Sequence, residues 1–329
     1  MNHSRAWLDR LLAMQHAVRD ALRVSMARQD LEHQARQVRD DDGDTIFGID
    51  IDAEAVLLGH CEAWARHESF VVVAEGLPPE GRTFGVNPRT RIIVDPIDGT
   101  RGLMFDKRSA WSLAAVAPER GADTHLSSVE LAVMCELPTT RQTIVEDLFA
   151  SRGGGATRRR IDTNTGASTE LPLRPSAATT LRHGFATICN FFQGGKELTA
   201  RIEEEFLRRA LDGWVDGKAE VYTDQYISSG GQLAELALGR DRFVADIRPL
   251  VHEALGHADT LCCRPYDLCT VLVATEAGCV VTDPFGDPLD GPLDTTTNLG
   301  FVAYANQNLA KKLGPVLAEV LTANGVGRR

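Results

Sequence analysis

A layered α/β chain, with an α+β first half, is predicted by three features of these 329 residues. β-branched runs end abruptly in acids, strand-like runs follow one another through the first half, and helical and strand patterns alternate through the second. The first element is an amphipathic helix over about residues 4–28, where Trp7, Leu8, Leu11, Leu12, Val18, Leu22 and Met26 recur at helical spacing between Arg and Asp. The polar run RQVRDDDGD separates it from a short strand, Thr45 to Ile49, which passes Asp50 and Asp52 into a second helix. SFVVVAEG is a β-branched strand ending at Glu75 and Gly76, and RIIVDPIDGT ends in the same way at Asp95 and Asp98. SAWSLAAVAPE, SSVELAVMCEL and RQTIVEDLFAS read as further strands of one sheet.

Residues 151–180 shift to Gly, Ser, Thr and Arg, so the domain boundary is placed there and Arg158 to Arg160 read as a solvated loop. Residues 1–160 would form an N-terminal α+β half holding most of the clustered acids, and residues 161–329 a C-terminal α/β half. In that half KELTARIEEEFLRRALD, QLAELALG and YDLCTVLVATEAG are helical patterns interleaved with the strands FATICN, RFVADI and GFVAYAN.

Hydrophobic residues make up 43% and charged residues 25%, an ordinary globular balance that implies a sizeable core. With 35 Lys plus Arg against 46 Asp plus Glu the formal charge is −11, which argues against nucleic-acid and anionic-membrane binding. The charged N-terminus lacks the apolar core of a signal peptide and the long run of a membrane span, so a soluble, cytoplasmic protein is expected. Seven Cys, an odd number set mostly in apolar runs, fit reduced thiols. Cys262, Cys263 and Cys269 match no zinc spacing and stand between two readings, a soft-metal cluster and buried structural thiols.

The acids carry the chemistry. Glu75, Asp95 and Asp98 are delivered at two strand ends, and Pro96 pre-shapes the turn by fixing its own φ and holding Asp95 extended. Crowded carboxylates raise one another's pKa unless a cation is present, and an all-oxygen donor set points to Mg²⁺, Mn²⁺ or Ca²⁺. Asp98-Gly99-Thr100 fits two roles, a plain turn and helix cap, or a turn whose outward N–H groups hold a phosphate oxygen.

DPIDGT at residues 95–100 resembles the signature of the inositol monophosphatase family, Mg²⁺-dependent, lithium-sensitive phosphomonoesterases. VVVAEG looks like the family segment with the first metal-binding Glu, and GDTIFGIDID resembles the stretch whose Asp, here Asp50, lies near the nucleophilic water. RPYDLCTVLVATEAG is similar to the C-terminal motif, placing the last ligand at Asp267, and GFVAYANQNLAKKL matches the closing strand and helix. The likeness spans about residues 40–312. It implies a layered αβαβα sugar-phosphatase fold and two Mg²⁺ ions, with a third, weaker one near Glu75; Mn²⁺ is an alternative metal. Asp95 would bridge two ions, Glu75 and the Ile97 carbonyl would complete the first site, and Asp98 and Asp267 would hold the second. Thr100 and Asp50 would orient the water, while Gly99 and Thr100 N–H groups would cradle the phosphate. A homodimer is implied as well.

The sequence departs from that pattern at Gly76, where a second Glu is usual, and at Tyr266, where Trp is usual; the stretch from Asp267 to Glu276 is one residue short. By the resemblance, Ser229, Gly230, Gly231 and Gln232 contact the substrate alcohol and Asp246 accepts its hydroxyls, although Gly230-Gly231 also fits a simple helix start. Asp267 is read both as a ligand and as a helix N-cap. Arg101, with Lys107, Arg108 and Arg264, is either a solvated cation or a partner for a second anionic group. The expected substrate is a small phosphate ester, an inositol or sugar phosphate first. A 3′(2′),5′-bisphosphate nucleotide, histidinol phosphate and fructose 1,6-bisphosphate stand behind it. A phosphate-ligand sensor is the non-enzymatic alternative, disfavoured because Glu75, Asp95, Asp98, Thr100 and Asp267 are all present.

Overall fold

A computed structural model describes residues 2–28, 31–41, 44–257 and 261–327. The chain runs α1 (Asn2–Ala27), α2 (Leu31–Gln34), β1 (Gln37–Asp41), β2 (Asp44–Phe47), α3 (Gly48–Trp64), β3 (Phe70–Ala74), β4 (Arg82–Phe84), β5 (Thr90–Asp98), α4 (Thr100–Met104), β6 (Ala110–Pro118), β7 (Leu131–Leu137), β8 (Ile144–Ser151), β9 (Ala156–Asp162) and β10 (Ser168–Leu171). It continues through β11 (Phe185–Ile188), α5 (Lys196–Ala210), α6 (Ser229–Ala237), β12 (Asp241–Asp246), α7 (Arg248–Ala254), α8 (Val271–Ala277), β13 (Val280–Thr282), β14 (Phe301–Tyr304) and α9 (Gln307–Ala323).

Eight strands form a sheet in the order β10-β9-β8-β7-β6-β5-β3-β4, antiparallel except where β3 and β5 run parallel. A smaller sheet has the order β11-β12-β14-β13. Helices α1 and α3 cover one face of the large sheet, α6 and α8 fill the space between the sheets, and α5 and α9 close the outer face of the small one. The order of layers is therefore αβαβα.

Both faces of β3 and β5 are buried, which is why their sequences read as unbroken apolar runs. Val71, Val73 and Ile93 join the core between the sheets, while Val72, Ala74, Ile92 and Val94 join the core beneath α1 and α3. The α1 stripe of Trp7, Leu11, Met14, Val18 and Leu22 packs into that second core, as its periodicity predicts.

Three local expectations need correction. The polar run before residue 44 includes β1, which pairs with β2, and α3 already begins at Gly48, inside the stretch expected to be strand. Residues 151–180 are not a plain loop: β9 and β10 extend the large sheet to Leu171, so a boundary at 160 falls within β9. Arg158 and Arg160 are strand residues whose guanidinium groups bind Glu146 on β8, with Nε to carboxylate distances of 2.9 and 3.1 Å. Two facing strands thus settle this basic run by ion pairing. Among the described residues no helix is long and apolar enough to cross a membrane.

Candidate metal and phosphate site

The parallel register of β3 and β5 pairs Ala74 with Val94, so the chain leaves β3 at Glu75 beside Asp95. Asp95 and Asp98, three residues apart on one strand, would ordinarily point to opposite faces. They do not, because β5 carries a bulge: Asp95 pairs with Leu113 and Asp98 with Trp111, three residues against two. Pro96 lies in the bulge, where its missing N–H costs no ladder bond. Ile97 turns into the core beneath α1 and α3, and both acids face the layer between the sheets.

Asp267 reaches them from the other side, in the turn before α8. Oxygens of Asp95, Asp98 and Asp267 all lie within 4.8 Å of one another. Asp95 is 2% exposed and Asp98 5%. Asp95 Oδ1 accepts from Ile97 N–H at 3.0 Å. Burial, with Asp98, Glu75 and Asp267 close by, pushes Asp95 well above the usual carboxylate range. Burial also pushes Asp98 up to about 6, against hydrogen bonds from Ser228, Gly230, Gly231 and Ser229 that favour its charge.

Those bonds explain the glycine pair at the start of α6. Gly230 N–H donates to Asp98 Oδ2 at 2.6 Å and Ser228 Oγ donates to the same oxygen at 2.8 Å. A Cβ on Gly230 would sit 2.5 Å from Leu113 Cδ1 and 2.8 Å from Asp98 Oδ2; one on Gly231 would strike the Tyr226 ring at 2.4 Å. The helix N-terminus therefore docks directly on the acid, its dipole favouring the carboxylate. Gly99, with φ of 104°, makes the turn from β5 into α4 that an L side chain rarely adopts. Thr100 Oγ1 lies 3.0 Å from Asp50 Oδ1 and 2.9 Å from the Ile97 carbonyl, and Asp50 Oδ2 accepts from Phe47 N–H at 2.8 Å.

A small cleft of about 70 Å³ collects Glu75, Asp95, Ile97, Asp98, Gly99, Thr100, Arg101, Ser229 and Asp267 from the sequence-predicted set. Asp50 lies behind Thr100. Three expected contacts are revised. Gly231 is packed on Tyr226, and Gln232 is buried, its Nε2 donating to the Tyr226 carbonyl at 2.9 Å. Asp246 is fully buried and reaches the cleft only through Arg248, whose Nε lies 2.9 Å from Oδ1. Asp267 caps no helix: Thr270 is the N-cap of α8, and Asp267 Oδ2 accepts from Arg264 N–H at 2.5 Å.

Arg108 turns away to bind Asp224 and stack on Tyr226, and neither Lys107 nor Arg264 lines the cleft. All seven Cys are free and buried, and Cys262, Cys263 and Cys269 form no metal-ligand group among the described residues. The sequence reading missed Phe191, Phe192 and Arg248, which form the wall facing the acids. Only the adjacent aromatic pair offered a signal in the sequence, since Arg248 is one basic residue in an ordinary helical stretch. Residues 258–260 lie outside the described residues.

No protein-family model matches the sequence, and a search of curated proteins finds none similar to it. Solved structures do resemble it. The extragenic suppressor protein SuhB from Bartonella henselae aligns at 18% identity over 95% of this chain and 98% of its own, with a TM-score of 0.62. An IMPase from Thermotoga maritima aligns at 18% over 97% and 99%, with a TM-score of 0.61. Fructose-1,6-bisphosphatase of Leishmania major aligns at 11% over 96% and 93%, with a TM-score of 0.66. The chain has the fold of inositol monophosphatases and fructose-1,6-bisphosphatases.

Proposed function

We propose that the protein is a Mg²⁺-dependent phosphomonoesterase acting on a small phosphorylated metabolite, with inositol or sugar phosphates as the first substrates to consider. The observation that carries this reading is the convergence of Asp95, Asp98 and Asp267 within 4.8 Å, with Asp95 and Asp98 buried and balanced by no Arg or Lys ion pair among the described residues. Hard oxygen donors without His or thiolate suit Mg²⁺ or Mn²⁺, so the residues fit the implied metal. Glu75, Asp95, the Ile97 carbonyl, Asp98 and Asp267 would hold it. Bound there, two divalent cations supply Lewis acidity toward the phosphoryl oxygens and lower the pKa of water.

The chain's own groups supply the rest. Thr100 Oγ1, held between Asp50 and the Ile97 carbonyl, fixes a hydroxyl beside the acids that accepts a hydrogen bond from water while donating its own proton to Asp50. Asp50 is itself anchored by Phe47 N–H at the start of α3, which limits its freedom. Gly99 and Thr100, at the turn into α4, present backbone N–H groups to a phosphate oxygen. Buried walls exclude bulk water and strengthen each of these interactions.

Phosphate release from inositol 1-phosphate, fructose 1,6-bisphosphate, histidinol phosphate and 3′-phosphoadenosine 5′-phosphate, with and without Mg²⁺, tests the proposal. Metal-dependent turnover of at least one, inhibited by Li⁺, is expected. Failure of all four at every metal concentration overturns the phosphatase reading in favour of a phosphate-ligand sensor.

A further inference from the structure

Gly76 stands where the inositol monophosphatase pattern has a second acid, and the fold shows what occupies that place. Strand β1 carries a bulge: Gln37 pairs with Phe47 and Arg39 with Ile46, so Val38 is the extra residue and is left 42% exposed. Paired residues of a two-stranded ladder share a face. The bulge therefore puts Arg39 on the face of buried Ile46, and both line a cavity with Asp50, Glu54 and Glu75. That cavity shares Glu75 and Ile97 with the cleft.

Arg39 Nη2 donates to Glu54 Oε2 and to the Gly76 carbonyl, each at 3.3 Å. Glu54 lies one helical turn beyond Asp50 on α3, and Gly76 directly follows Glu75, so one guanidinium ties the segment holding Asp50 to the segment holding Glu75. Its charge is met by Glu54; what it contributes is position. A Cβ on Gly76 would come within 2.4 Å of Nη2 and 3.4 Å of Glu54 Oε2, and the φ of 80° there suits glycine. Any side chain at 76 would push the guanidinium out. The space left around this clamp is about 10 Å³, the room of one water molecule. Mg²⁺ keeps several waters and gives them up reluctantly, so a third ion beside Glu75 and Asp50 does not fit.

We propose, building on the phosphatase reading above, that Arg39 is a positioning residue that holds Asp50 and Glu75 in register from the β1–β2 hairpin, and that it stands where the family pattern has a third, weaker divalent ion. The protein then works with two ions. Gly76 and Arg39 are one feature in this account, since the glycine leaves the space that the guanidinium fills. A tethered guanidinium is in place at any metal concentration, whereas a weakly held ion is not.

Counting ions tests this. Bound Mn²⁺, read from the paramagnetic resonance signal of the free ion, should level off at two per chain in wild type and in Arg39→Lys, and at three in Arg39→Ala. Activity supplies a second readout. Arg39→Ala should lower kcat by about 10–100-fold at low Mg²⁺ with KM for the ester little changed, and raised Mg²⁺ should recover most of that loss. A loss that no Mg²⁺ concentration restores would make Arg39 merely structural and overturns the proposal. Three ions on wild type, or the same count in Arg39→Ala as in wild type, also overturns it, and the wild-type count decides even where Arg39→Ala fails to fold. Two ions on wild type and three on Arg39→Ala, without turnover of any ester, would uphold the Arg39 assignment and overturn the phosphatase reading; turnover with three ions on wild type would do the reverse.

Discussion

Two groups of ligand-type side chains are packed against the large sheet, His16 with Cys135 and Asp147 on one side, and Asp95 with Asp98 and Asp267 on the other. In each, the ligand atoms lie within 4.8 Å. Asp147 is fully buried, yet His16 Nε2 lies 2.7 Å from one carboxylate oxygen and Arg19 Nη2 donates to the other at 2.5 Å. Burial alone would raise its pKa, but the His16 hydrogen bond and the Arg19 charge outweigh it and hold Asp147 down at about 2. Asp95 meets three more acids and is pushed the other way. Similar burial and spacing therefore give opposite results, decided by whether the chain supplies its own cation. The first group is complete as folded; the second calls for a cation from solution.

Breaking the complete group should have the largest effect. Arg19→Met strands a buried carboxylate and should cost about 3–5 kcal/mol of stability, read by denaturant unfolding, while Mg²⁺-dependent activity per folded molecule persists. In the other group Asp95→Asn should cut activity by more than about 100-fold, the upper scale for losing an outer-shell partner alone. The metal-free Asn variant should melt no lower than wild type, because it removes repulsion; a clear fall in Tm would show that the unmetallated acids are not strained. Gly230→Ala places its Cβ 2.8 Å from Asp98 Oδ2, and calorimetry should show Mg²⁺ affinity weakened by about 10–100-fold.

The smallest contrast is in pH dependence, and its sign differs between the groups. The folded pKa of Asp147 lies below its unfolded value near 3.8, so its contribution is present above pH 4 and is lost as pH falls toward 2. Asp98 lies above its unfolded value, so metal-free protein loses that contribution as pH rises from about 4 through 6. Mg²⁺ should therefore raise Tm increasingly across pH 4–6, and a metal-induced shift constant over that range would contradict the comparison.

Much of this contrast could not be read along the chain. Asp95, Asp98 and Glu75 stood out because acids at the ends of apolar strands have no reason to be there. Asp147 was hidden: IVEDLF reads as an ordinary strand, and its partners Arg19 and His16 lie 128 and 131 residues away on α1. Arg248 was hidden for the same reason, since only the fold brings Phe191 and Phe192 beneath it. Asp246 was expected to accept hydroxyls because its place after RFVA resembles that of an acid in the inositol monophosphatase family, and nothing in the sequence showed that Arg248, two residues on, folds back over it.

The sequence by itself determined the long apolar strands, the helical faces, the proline that restricts the backbone beside Asp95 and the acids at the strand ends, because these depend on local periodicity, backbone restriction and side-chain chemistry. Only the tertiary structure decided which carboxylates would be neutralised by the chain and which would be left without a cation of the chain's own. That outcome depends on the distance between charges brought together from remote positions, and in a buried setting a few ångströms between a carboxylate and a guanidinium separate an ion pair from a ligand.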